Sequence, residues 1–258
     1  MNELVKLDVI EGIARITLNR PKAYNAFGLD MVKLLSERLI ELAMNKNAVG
    51  IIITGEGKAF CAGADLRWVS DFGKSYGETL HELSARYHQA ILEIRRMSKP
   101  VIAAINGIAA GGGFSMALAC DFRIMETSAV LQQAYTTNGL SIDGGGTFNL
   151  PRLVGLARAM EIAAFDYPIS SEQALSWGLV TEVVEDGQAV KRAIELINEM
   201  KNGTIEQIFI KSTEGYIIIS SAGQNKALMI ATDKDWISFD NKDFTKTMPS
   251  YLNNLVEL

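Results

Sequence analysis

An α/β fold with a helical C-terminal region is what this sequence predicts, on three observations. Short apolar runs of strand character recur through the first half of the chain. Helical periodicities separate them, and the residues after Arg158 carry mostly helical patterns. Val5, Leu7 and Val9 alternate with Lys6 and Asp8, and Ala14 to Leu18 resume the alternation after Glu11-Gly12, which predicts a hairpin. Asn19-Arg20-Pro21-Lys22 breaks the pattern as a loop. Val32, Leu35, Leu39 and Leu42 then line one face of a helix over 30–44. Gly50–Thr54 and Pro100–Ile105 fit buried strands, and Phe122–Ile124 fits a weaker one. Between the first two, Leu80, Leu83, Tyr87, Ile91 and Ile94 predict a helix over 77–97. Ser170 to Gln173 is a capping-box match, and 186–201 is a further amphipathic helix. No internal repeat or low-complexity linker interrupts the chain.

Composition excludes several function classes. The chain has 258 residues, 48% of them hydrophobic, so a sizeable core is expected and disorder is not. The 25 Lys and Arg against 30 Asp and Glu give a net charge of −5, and no basic run marks a nucleic-acid partner. No charge-free apolar stretch of about 18 residues exists to span a membrane. The first residues carry neither an apolar signal core nor an Arg-rich transit segment. Two cysteines, Cys61 and Cys120, cannot build a disulfide framework, so a soluble cytoplasmic protein is expected.

Three glycine-bearing segments could carry chemistry. Gly57 to Leu66 follows a buried strand, and its small residues would let a ligand approach the backbone, with the Ala64 N–H free to donate. Asn106 to Ala117 follows another strand and enters an apolar helix, whose first N–H groups are unpaired at the positive end of its dipole. Gly139 to Thr147 places one carboxylate, Asp143, in a glycine-rich loop. Any one of these could be a plain turn. The second lacks the G-x-G-x-x-G spacing of a dinucleotide loop and the Gly-Lys-Ser/Thr ending of a phosphate loop.

Together the segments resemble the crotonase, or enoyl-CoA hydratase/isomerase, superfamily. Asn19 to Ala26 is similar to its N-R-P-x-x-x-N-A signature, and Ala59 to Leu66 to its F-x-x-G-A-D-L/I segment. Lys99 to Gly107 followed by Gly111-Gly112-Gly113 and Cys120-Asp121 matches its central motif. Ala174 to Val180 resembles its A-x-x-x-G-L-V. The resemblance implies a crotonase-like spiral of ββα turns over 1–195. It also implies a helical region over 196–258 that covers the active site and mediates trimerisation, giving a homotrimer or homohexamer. It implies an acyl-CoA thioester as substrate, whose coenzyme A is the only cofactor-like group, and no metal.

By the same resemblance, the N–H groups of Ala64 and Gly112 form an oxyanion hole for a thioester enolate, each donor contributing roughly 3 kcal/mol. Lys22, Ala23 and Tyr24 would line the adenine and pantetheine path opposite Ala62 and Ala64. Asp65, Leu66, Ser115 and Tyr135 complete the expected substrate contacts.

The catalytic carboxylates are where this chain departs from the hydratases. Their two glutamates align with Ser115 and Tyr135. Hydration needs a base for water and an acid for carbon, whereas a serine is a very weak base and a tyrosine ionises near about 10. Moving a double bond needs one group that removes a proton and returns it elsewhere. Asp143 resembles the lone carboxylate of isomerase branches that act on dienoyl-CoA and on the ring-epoxide of phenylacetyl-CoA. Phe114, Met116, Leu140 and Ile142 are candidate apolar walls around it, and Asp143-Gly144 could equally be only a turn.

Acyl-CoA isomerase activity with Asp143 as acid/base is the leading expectation. A hydratase or other enolate-forming lyase, and a non-catalytic acyl-CoA-binding protein, are the alternatives. His81 and His88 read as solvated or packed, Cys61 as a small buried residue, and Asp121 as structural. Trp68, Phe72 and Tyr76 could shape an acyl pocket or simply pack. Tyr251 to Asn254 lacks the basic pair that often ends the family, for which Lys242 or Lys246 might substitute in reaching CoA phosphates.

Overall fold

The computed structural model describes residues 3–73 and 75–201 and, beyond them, the strand backbones of 207–212, 215–221 and 227–232. The chain opens with an antiparallel hairpin of β1 (Val5–Ile10) and β2 (Ile13–Leu18). Helix α1 (Leu29–Met44) buries Val32, Leu35, Leu39 and Leu42, the face that their spacing predicts. Three strand–strand–helix turns follow. The first is β3 (Gly50–Gly55), β4 (Ala59–Cys61), then α2 (Leu66–Asp71) and α3 (Tyr76–Arg96). The second is β5 (Val101–Ile105), β6 (Ile108–Ala110) and α4 (Gly112–Ala119). The third is β7 (Phe122–Glu126), β8 (Val130–Gln132) and α5 (Gly146–Phe165). Then come β9 (Ile169–Ser170), α6 (Ser171–Ser176), β10 (Glu182–Val184) and α7 (Ala189–Lys201).

Each turn contributes one strand to each of two sheets. The larger sheet has the order β1-β2-β3-β5-β7-β10 and is parallel after the hairpin. The smaller has the order β4-β6-β8-β9, with only β9 antiparallel. This is the ββα spiral. Asn106 ties the corner between successive turns: its Oδ1 accepts from the Gly55 N–H at 3.1 Å, and its Nδ2 donates to the Gly55 carbonyl at 2.8 Å.

The central strands β3 and β5 of the large sheet are buried along their whole length because both faces are covered. Ile51, Ile53, Val101, Ala103 and Ile105 face a core shared with α1 and α3. Ile52, Ile102, Ala104 and Ile124 face the opposite way, onto Ala193, Leu196 and Ile197 of α7. The capping boxes at Ser75/Glu78 and Ser170/Gln173 set the starts of α3 and α6.

The C-terminal region differs from the helical expectation in its described part. Beyond α7 the described residues form strands β11 (Gln207–Ser212), β12 (Gly215–Ser221) and β13 (Ala227–Thr232), paired antiparallel in that order. Runs such as Ile208-Phe209-Ile210 and Ile217-Ile218-Ile219 are aromatic and β-branched, which favours strands over helices. The residues 242, 246 and 251–254, expected near CoA phosphates, lie outside the described residues. Among the described residues, no helix is long and apolar enough to cross a membrane.

Candidate active site

The loops that follow the short strands converge on α3 and enclose a cavity of about 230 Å³. Ala62, Ala64 and Leu66 come from the first loop, Gly111 and Gly112 from the second, and Tyr135, Asn138, Leu140, Ser141 and Asp143 from the third. Phe27 and the α3 side chains Leu80, Leu83, Ser84 and Tyr87 close it.

Backbone pairing orients the first wall. Asn25 is fully buried and donates to the Ala59 carbonyl at 2.7 Å, while its Oδ1 accepts from the Arg20 N–H. Arg20 pairs with Asp65 at 2.9 Å. Burial opposes ionisation of Asp65, but the Trp68 N–H and Arg20 outweigh it and hold its carboxyl below the usual range. The segment is thereby fixed so that the Phe27 N–H reaches the Gly63 carbonyl and the Asp65 N–H reaches Phe27. The intervening Ala64 N–H points the other way and has no acceptor among the described residues.

The Gly112 N–H, at the first position of α4, has none either. Gly63 permits the two segments to meet: its φ is +86°, and a Cβ there would lie 2.8 Å from the Gly112 nitrogen. The buried Tyr87 hydroxyl donates to the Gly112 carbonyl and holds that end of α4.

On the facing wall, the Tyr135 hydroxyl donates to Asp143 Oδ1 at 2.7 Å and Ser84 Oγ donates to Oδ2 at 3.3 Å. Burial, and then the Asp143 charge, push the Tyr135 hydroxyl well above its ordinary range, so it remains a donor. Ser115 Oγ lies 3.0 Å from the Tyr135 hydroxyl. His88 Nε2 is 3.7 Å from Asp143 Oδ2 and accepts the Gly144 N–H at 3.2 Å. Asp143 also serves its turn, since its carbonyl accepts from the Gly146 N–H.

The structure thus brings Ala62, Ala64, Leu66, Gly112, Tyr135 and Asp143 onto one cavity, with Ser115 directly behind Tyr135. Lys22, Ala23 and Tyr24 do not line it. They form an exposed turn beside it, joined through the Ala62 N–H to the Tyr24 carbonyl at 3.0 Å. Asp65 is also off the cavity, capping α2 through the Trp68 N–H. Of the four expected apolar walls only Leu140 lines it; Phe114 and Met116 are buried in the core. Trp68 packs against Phe72 with its ring tilted by 44° and the centroids 4.4 Å apart, and lies over Gly28. Burial pushes the Cys61 thiol up to about 12, so it is no nucleophile. Asp121 accepts from the Val101 N–H, a structural role.

Ser84 is the residue that sequence reasoning missed: it lines the cavity next to the buried Leu83 of α3 and donates to Asp143. His88, by contrast, is exposed, as its solvated reading expects. Among the described residues, no three His, Cys, Asp or Glu side chains come together as a metal site requires.

The family model described as enoyl-CoA hydratase/isomerase matches residues 8–251. The 1,2-epoxyphenylacetyl-CoA isomerase of Escherichia coli (strain K12) is 36% identical over 204 residues, which is 78% of this chain and 77% of that protein. The short-chain-enoyl-CoA hydratase of Clostridium acetobutylicum is 34% identical over 189 residues, 73% of this chain and 71% of that one. Among solved structures, the enoyl-CoA hydratase of Bacillus anthracis matches with a TM-score of 0.73 at 36% identity, over 79% of each chain. The chain belongs to the enoyl-CoA hydratase/isomerase family.

Proposed function

We propose that this family member moves a double bond in an acyl-CoA thioester, with Asp143 carrying the proton. The observation that carries the reading is one carboxylate in a cavity with two unpaired backbone donors. Among the described lining residues, Asp143 is the only Asp or Glu, and Ala64 and Gly112, whose N–H groups have no acceptor among the described residues, line the same cavity. In a 3-enoyl thioester, the carboxylate removes a proton from C2, and the electron pair delocalises onto the thioester oxygen. The two N–H dipoles are already oriented when that charge develops, so they stabilise it without reorganisation. The carboxylic acid then returns the proton to C4, and the double bond comes to rest between C2 and C3. One group suffices because the carboxyl that takes up the C2 proton is the acid that delivers a proton to C4, after exchange of that carboxyl proton with solvent.

The test is incubation in heavy water with 2-enoyl and 3-enoyl CoA thioesters, with products separated by chromatography and weighed by mass spectrometry. Deuterium in the acyl chain with bond migration and no added water is the expected result. Asp143→Asn should lower that turnover by about 10²–10⁴-fold. Unchanged turnover in this variant would overturn the mechanism.

A second reading is hydration, the activity of a relative such as the short-chain-enoyl-CoA hydratase. It needs two proton-carrying groups, and among the described lining residues Asp143 is the only carboxylate. Added water on a 2-enoyl-CoA would establish it in place of isomerisation.

A further inference from the structure

We propose that Ser115 and Tyr135 form a hydroxyl relay that positions the Asp143 carboxylate, with Tyr135 as the positioning residue in contact with it. The inference rests on Asp143 acting as the acid/base group. The direction of the relay follows from counting protons. Tyr135 has one hydroxyl proton, and a carboxylate oxygen 2.7 Å away can only accept it. The Ser115 hydroxyl, 3.0 Å from the same tyrosine oxygen, therefore donates to it. Two donors in series polarise each other, so the bond reaching Asp143 is stronger than that of an isolated tyrosine.

The tyrosine is itself held at its backbone end. Its N–H donates to Oε1 of the fully buried Gln133 at 3.1 Å. The neighbouring Ala134 and Thr137 N–H groups both donate to the buried Asp166, at 2.7 and 3.2 Å. Ser84 holds the other carboxylate oxygen from α3. Asp143 is thus gripped from two elements, and neither oxygen is free to swing. A group that lifts a proton from one carbon and sets it down two carbons away benefits from that fixity, because both positions must be in reach of one placement. The positions aligned with the hydratases' two glutamates thus supply uncharged donors to a third carboxylate.

The experiment follows conversion of 3-hexenoyl-CoA to 2-hexenoyl-CoA, with saturated hexanoyl-CoA as an unreactive binding probe. Tyr135→Phe keeps the ring and removes the hydroxyl. It should lower kcat by about tenfold, the scale of a hydrogen bond to a charged group, with KM and hexanoyl-CoA affinity within about twofold. Ser115→Ala should lower kcat by about threefold, and should cost nothing further in the Tyr135→Phe background, because its proton acts only through the tyrosine.

A kcat within twofold of the parent in Tyr135→Phe, a KM that rises in step with the loss, or additive effects in the double variant would overturn the relay. If Tyr135→Phe no longer binds hexanoyl-CoA, Ser115→Ala decides alone, a threefold loss supporting the relay and none overturning it. Asp143→Asn separates the two levels. If it abolishes migration while both hydroxyl variants match the parent, only the relay fails. If it leaves migration intact, the acid/base reading beneath it fails.

Discussion

Asp65 shows how much a single side chain can settle around this site. Its carboxylate accepts from the Trp68 N–H to start α2 and pairs with Arg20, the residue that also reaches the Ala26 carbonyl. Its folded pKa lies below the ordinary value. Its contribution to stability is therefore complete above the unfolded value near about 3.9, and is lost as pH falls through the folded one. Asp65→Asn keeps a cap but loses the charge. Thermal melts across pH should show Tm lower than the parent by a few degrees at pH 7, the two converging in acid. A constant gap at every pH would mean the charge is not the cause. The segments that hold Asp65 were legible because their motifs are local, Asn19 to Ala26 and Ala59 to Leu66 each reading as a unit. The role of Asp65 was not: expected at the substrate, it caps α2 instead. Nor were Ser84 and the Tyr135–Asp143 contact, because they join helix α3 and two positions of an irregular loop. No periodicity in the sequence reports such a meeting.

Elements set the spacing of the two backbone donors. The start of α4 rests directly on β4, and a Cβ at Gly113 would lie 2.0 Å from the Cys61 carbonyl oxygen. Neither side of that contact is a flexible side chain, so an added methyl must move helix against strand. Gly113→Ala should cost about 1–3 kcal/mol in urea unfolding. It should also lower turnover by about 10²-fold, as the Gly112 donor leaves its place beside Ala64. Gly77→Ala is the contrast. It lies in the first turn of α3 with nothing within 4 Å of the added carbon, and should stabilise by about 0.5 kcal/mol. Equal effects from both would show that packing on β4 is not what the glycine serves. Helices α1, α3 and α7 were readable from their period, β1 and β2 from their alternation, and β3, β5 and β7 as apolar runs, whereas α5 and β10 were not read. Strands β4, β6 and β8 have three residues each, too few to show an alternation, and they are what turns a layered α/β protein into a spiral. The strands beyond α7 were missed because isoleucine runs carry no period that separates a buried strand from a buried helix.

At the scale of the whole molecule, the site is a junction between successive turns of the spiral. Ala64 belongs to the first turn, Gly112 to the second and Asp143 to the third, so a thioester held by all three ties together segments far apart in sequence. A ligand of that kind opposes global unfolding. At a concentration about 100 times its Kd it should add about 2.7 kcal/mol, which for a chain of this length raises Tm by about 5–10 °C. Hexanoyl-CoA is the probe, and Asp143→Asn should show the same rise as the parent, because the backbone donors and apolar walls remain. The pair of measurements separates binding from chemistry. A rise in both proteins with deuterium incorporation only in the parent assigns the proton transfer to Asp143. A rise in both with incorporation in neither, across the whole panel of thioesters, would make this chain a binder of acyl-CoA that has given up the reaction. No rise with any thioester would remove acyl-CoA as the ligand of the cavity, whatever the family.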